Sequence, residues 1–326
     1  MNSLNRKHRK PEGANKYHID CNELEKNPSL IPIIIKNVIQ NKNDTTILQS
    51  IITDKSITQN NRNIVVKIGK INRTIEKEFN IGKQLENEKL TGFINYICLF
   101  NCYDNTYNNL KVDIEKNNNN IESLCSAKKK EENLKTVLIM PYINEGSIKN
   151  FKWNKEKYDA LKSVILQTIM SVFTAYQLCG FLHNDLHLDN ILVKKTKKET
   201  INYKFKDEKD KNKDKVIEIN IKADGYKIVI MDFENSMINI KDKDGLRTYW
   251  SNLLNMMLRL YHDIKNEDND IIRMDNLSNI TSFIEKQEKS NENIMNTFIL
   301  LDMIKDAKFI IIKQIKSKLI YDPNVY

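Results

Sequence analysis

Two short stretches concentrate the reactive side chains of this sequence: His183-Asn184-Asp185-Leu186-His187-Leu188-Asp189-Asn190, and Asp232-Phe233-Glu234. Transfer of a phosphoryl group needs a carboxylate near the attacking hydroxyl, metal ions across the phosphates and a cation on them. Asp185 offers the carboxylate. Asn190, five positions later, and Asp232, at the end of a later apolar run, offer hard oxygen ligands for Mg2+ or Mn2+. Lys67 closes the run Ile64-Val65-Val66 and offers the cation, with a strand-end lysine turned to solvent as the plain rival reading. Its acidic partner is expected on the helix that follows. Glu78 is the first choice, because Phe79, Ile81 and Leu85 lay an apolar stripe beside it, and Glu76 is the second.

Holding these side chains in place takes a helix and a strand pair. Residues 158–179 carry Leu161, Val164, Ile165, Ile169, Val172, Phe173 and Tyr176 near a 3.6-residue period, which predicts a helix that Gly180 stops. Residues 191–193 and 227–231 read as short strands, so Asn190 precedes one and Asp232 follows the other. Between them, residues 195–224 read as an exposed insertion, almost wholly charged over 206–215. Upstream, 31–35, 46–52 and 63–68 read as strands of a small sheet, with 33–39 open to a helical reading. A helix follows over 74–90 despite Gly82, then strands over 93–102 and 137–140 around a solvated insertion, 108–135. Residues 142–147 read as a connector, and further helices are expected over 253–263, 280–285 and 294–320. The expected architecture is α+β: a flexible basic tail (1–28), a small β-rich unit with one main helix (29–143) and a larger, mostly helical unit (144–326).

In this order, a strand lysine, a helix glutamate, HxDxxxxN and DF resemble the protein-kinase superfamily, whose usual marks are a VAIK-type lysine, HRDxxxxN and DFG. The likeness covers roughly residues 47–263. It implies a bilobal fold and an ATP-dependent phosphotransferase using Mg2+ or Mn2+, of the Ser/Thr protein-kinase type, with a protein substrate. By that resemblance Asp185 is the catalytic base, Asn190 and Asp232 are metal ligands, and Lys67 with Glu78 clamps the phosphates. Met140, Tyr142 and Ile143 bind the adenine at a hinge, and His183 braces the loop. The departures are specific. No glycine occurs between Gly13 and Gly69, so a GxGxxG loop is absent, and another loop over 54–61 is expected to cover the phosphates instead. Asn184 stands at the loop-arginine position, His187 at that of a lysine, Glu234 at the DFG glycine, and no APE follows. Such features are similar to divergent kinases of large DNA viruses. The His187 position also resembles aminoglycoside- and choline-type phosphotransferases, and the missing glycine loop keeps an inactive pseudokinase scaffold among the readings.

The 326-residue chain has 40% apolar and 29% charged residues and a mean hydropathy of -0.55, ordinary for a globular protein of about two units. The most apolar stretch, 160–182, is broken by Lys162, Gln167, Thr168, Ser171 and Gln177, so it reads as a core helix and no transmembrane segment is expected. The N-terminus lacks an apolar signal core, which points to the cytoplasm, or to the host cytoplasm or virion if the chain is viral. A net charge of +9 permits contact with nucleic acid or an anionic surface, but the lysines are spread along the chain and indicate neither. The five cysteines are scattered and lack CxxC spacing, so they read as reduced, buried thiols without zinc.

Overall fold

Ile, Val and Thr are frequent over residues 32–42, 45–52 and 62–70, and these runs form strands. The computed structural model describes residues 21, 32–42, 45–52, 62–71, 73–103, 121–123, 125, 134–206, 216–240 and 310–311. The chain divides into two units, Met1–Asn72 with Tyr96–Tyr142, and Arg73–Asn95 with Ile143–Tyr326.

In the first unit β1 (Pro32–Lys42), β2 (Thr45–Ile52), β3 (Arg62–Lys70), β4 (Cys98–Tyr103), β5 (Ile121–Ser123) and β6 (Leu134–Pro141) form one sheet in the order β4-β6-β3-β2-β1-β5. Every neighbouring pair is antiparallel. Residues 33–39, open to a helical reading, are strand; β1 shifts register between Ile35 and Asn37 and between Val38 and Gln40. Period-two alternation sends Leu48, Ile64, Val66, Ile68, Cys98, Phe100, Cys102, Val137 and Ile139 into one buried core. Lys67 lies on the other face, directly across from Ile47 on β2 and Leu138 on β6.

Disulfides join Cys21 to Cys98 and Cys102 to Cys125, with Cα atoms 5.6 and 5.7 Å apart. The expectation of reduced thiols is thereby corrected. Pairing depends on which segments meet in space, and spacing along the chain does not show it. Four residues of strand put Cys98 and Cys102 about 13 Å apart, too far to share one metal. Within the expected insertion 108–135, β5 extends the sheet by pairing with β1, and Cys125 is buried.

The second unit contains α1 (Arg73–Asn87), α2 (Tyr158–Cys179), and 3-10 turns at Lys155–Lys157 and Leu188–Asn190. β7 (Ile191–Lys195) pairs with β10 (Tyr226–Ile230), and β8 (Thr200–Lys206), β9 (Val216–Lys222) and β11 (Ile310–Ile311) form a three-stranded sheet. Sequence grouping places α1 with the first sheet, but its continuation is tied to β10: Ile94 N–H bonds Ile230 O (2.9 Å) and Ile230 N–H bonds Gly92 O (2.8 Å). The expected strand over 93–102 narrows to β4. Gly82 is helical and buried within α1. Gly180 ends α2 with a left-handed cap, φ 60°, as its position implies.

The charged insertion 195–224 is not simply solvated. β8 and β9 form a hairpin whose Ile201, Tyr203, Ile219 and Ile221 are buried. A polar seam fastens it to α2: Ser163 Oγ donates to Lys222 O, and Tyr203 Oη donates to Gln167 O at 3.2 Å. Gln167 Nε2 donates to Tyr226 O (3.0 Å) and its Oε1 accepts from Ile228 N–H (3.1 Å), extending the seam to β10. Among the described residues no helix is long and apolar enough to cross a membrane. The tail other than Cys21, residues 54–61, and the helices expected over 253–263 and 280–285 lie outside the described residues. Of 294–320 only Ile310–Ile311 is described, as a strand on β9.

Candidate functional site

The β7–β10 ribbon sets the frame. Ile191 opens β7 and faces Ile230, the last residue of β10, so the segments at 183–190 and 231–237 leave the same end of the ribbon. Hydrogen bonds then lace the two segments together. Met231 N–H bonds Asn190 O (3.0 Å), and Leu182 and Met237 exchange a backbone pair at 2.9 and 2.8 Å. Ser236 Oγ donates to His183 O at 3.1 Å.

His183 is buried with Nε2 at 2.9 Å from Met231 O, and its ring meets the Phe181 and Phe233 rings edge-on. A carbonyl only accepts, so Nε2 carries the proton. Burial holds the imidazole below the usual histidine range, opposed less strongly by the Met231 carbonyl and by Asp232 and Asp185. The ring is a neutral brace for the loop, as expected for this position.

Asp185 is exposed but fixed. Asn190 Nδ2 donates to its backbone carbonyl (3.0 Å) and Asn235 Nδ2 to its Oδ2 (3.3 Å). Asn184 has φ 59° and donates through Nδ2 to Asn235 O at 3.1 Å. Asparagine is among the few residues that enter this left-handed region readily. Asp232 does the same, φ 68°, a conformation that costs on the order of 1–3 kcal/mol and here turns the chain after β10. Phe233 is fully buried against Phe93, Phe181 and His183, which anchors the turn.

Glu78 on α1 is 1% exposed, and its carboxylate lies with those of Asp232 and Glu234, one oxygen from each within 4.8 Å of the others. Lys77 Nζ donates to Glu234 O at 3.0 Å, tying α1 to this segment. Glu234, read from sequence as a stiffened glycine position, thus joins the acidic group, while Asn235 supports Asp185. Their only sequence signal is proximity to Asp232. Three hard oxygen donors at this spacing suit a hard divalent cation. Asn190 commits Nδ2 to Asp185, which leaves its Oδ1 as the ligating atom.

Asp185, Asn190, Asp232 and Glu78 are therefore brought together in the second unit, which also holds buried Ile143. Lys67, Met140 and Tyr142 belong to the first. Lys67 is mid-strand and 7% exposed, so the reading of a solvent-facing strand end is corrected: the strand continues to Lys70. Met140 lies across from Val65 on the face that Lys67 shares, and Tyr142 N–H bonds Asn63 O at 3.3 Å. No protein-family model matches this chain, and no curated protein matches its sequence.

Proposed function

We propose that the two units are the lobes of a protein-kinase-like fold, and that the chain is an ATP-dependent phosphotransferase acting on Ser/Thr hydroxyls of a protein substrate. The observation that carries this reading is the lacing of the 183–190 loop to the 231–236 turn, which groups Asp185, Asn190 and Asp232 at one end of the β7–β10 ribbon. A lysine on the third strand and a glutamate on the next helix, Lys67 and Glu78, match the remaining parts such chemistry uses. Asn235 holds Asp185 Oδ2, leaving Oδ1 to accept the proton of the attacking hydroxyl. Asn190, Asp232 and Glu234 would hold Mg2+ or Mn2+, which when bound neutralises phosphate charge and aligns its oxygens. Lys67 would supply the cation for the nucleotide phosphates.

With labelled ATP and Mg2+ or Mn2+, the purified chain should label itself or a basic protein. Asp185→Asn should lower the rate roughly 10²–10⁴-fold, the usual contribution of a general base. Equal labelling by the variant would sink the reading. ATP turnover only with choline, sugars or aminoglycosides would move the acceptor to a small molecule. Saturating Mg-ATP at 100 times its Kd should stabilise the fold by about 2.7 kcal/mol, and no shift would mark a scaffold.

A further inference from the structure

Away from that site, the β7–β10 ribbon gathers charge of one sign. Lys194 and Lys227 stand directly opposite each other across the ribbon, where like charges repel. Thr196 N–H bonds Gly225 O (2.8 Å) and Thr196 Oγ1 accepts the Lys198 N–H (3.2 Å), which holds residues 196–198 in a turn at the ribbon's end. Burial pushes the half-buried Lys227 below the ordinary lysine range, and the charges of Lys194 and Lys198 push it further. None of the three makes an ion pair among the described residues. Nearby lysines are matched instead: Lys195 with Glu145 (3.2 Å), Lys204 with Glu218 (3.6 Å) and Lys222 with Asp224 (2.6 Å). Glu199, exposed beside Lys198, is the one carboxylate of the 191–200 stretch.

We propose that Lys194, Lys198 and Lys227 form a docking patch for an extended acidic peptide segment of a partner protein. Lysines crowded this way lower the stability of the fold and concentrate positive potential, which attracts an anionic partner. Carboxylates two residues apart on an extended peptide lie about 7 Å apart on one side, within reach of lysine stems one strand spacing of about 4.8 Å apart. Bases would want a free aromatic platform, but the ring at this end, Tyr226, packs on Phe151 with centroids 5.2 Å apart. A lipid surface would want exposed apolar anchors, and the exposed large ones described, Ile39, Ile71 and Met237, lie elsewhere in the sequence.

The proposal is independent of phosphoryl transfer and is tested by binding alone. A fluorescein-labelled peptide of alternating Glu and Ser should bind the full chain in low-salt buffer, and Lys194→Gln/Lys198→Gln/Lys227→Gln should weaken it roughly tenfold or more. The same lysines changed to Arg should retain binding, as should Asp185→Asn and the control Lys204→Gln/Lys222→Gln. Thermal unfolding of the triple Gln variant should be unchanged or raised, since repulsion is relieved. No binding by the wild-type chain, or binding that the triple Gln variant keeps, overturns the patch. A single-stranded oligonucleotide bound as tightly through the same lysines overturns the peptide assignment.

Discussion

The placement of Asp185 in the loop after the long helix, of Asn190 just before a strand and of Asp232 just after one was legible in the sequence, because the apolar runs 158–179, 191–193 and 227–231 mark those elements. The placement of Glu234 beside Glu78 and of Asn235 beside Asp185 was not, since it follows from the backbone turn at Asp232, φ 68°, which no spacing rule announces. Cys98 and Cys102 were misread for a related reason: their partners are distant in sequence. Cys179 is the one free thiol of the chain. Burial first, then the negative charge of Glu88, push it up to about 11 from 9.0, with the Phe181 N–H opposing. A raised thiol pKa means less thiolate at any pH below it, and the thiolate is the reactive form. At pH 8 the thiolate fraction falls roughly a hundredfold. Iodoacetamide should therefore alkylate native Cys179 about a hundred times more slowly than a free cysteine at pH 8, and the gap should close on unfolding. A native rate equal to that of the unfolded chain would contradict the burial described.

Helix α2 and the short strands were readable from period and length, but the β8–β9 hairpin was hidden. Charges at 206–215 dominated the composition there, although Ile201 and Tyr203, then Ile219 and Ile221, alternate as strand residues do. What fastens the hairpin is the Ser163–Gln167–Tyr203 seam, and polar residues on a buried helix read from sequence only as interruptions. The approach of α2 to the segment after α1 depends on Gly92, φ 92°, where an added Cβ would lie 2.0 Å from Ser171 Oγ and 2.9 Å from Ile228 Cδ1. Gly92→Ala combines left-handed strain with overpacking and should cost about 3 kcal/mol in urea unfolding. Adding Ser171→Ala should recover part of that loss, because it removes the nearest atom and leaves the strain. Full stability of Gly92→Ala alone would mean the two segments do not approach this closely.

For the whole molecule, the α+β character expected from the pattern of elements is what the described residues show. The boundary at α1 was less visible, because the backbone bonds at Gly92 and Ile94 decide it. The first unit carries both disulfides, spanning separations of 77 and 23 residues. On the chain-entropy account, closing loops of those lengths stabilises by about 4 and 3 kcal/mol respectively. Cys102→Ser with Cys125→Ser should lower the unfolding temperature by roughly 6–12 °C for a loss of about 3 kcal/mol, and reduction, which opens both bonds, should lower it further. An unchanged melting curve in dithiothreitol would show that the bonds contribute nothing. The bonds close one after the other along the chain, neither enclosing the other. The oxidised protein is thus two consecutive covalent rings on a single thread. A protease nick inside either ring releases no fragment until reductant is added, whereas a nick between Cys98 and Cys102, or beyond Cys125, leaves two pieces with no covalent bond between them.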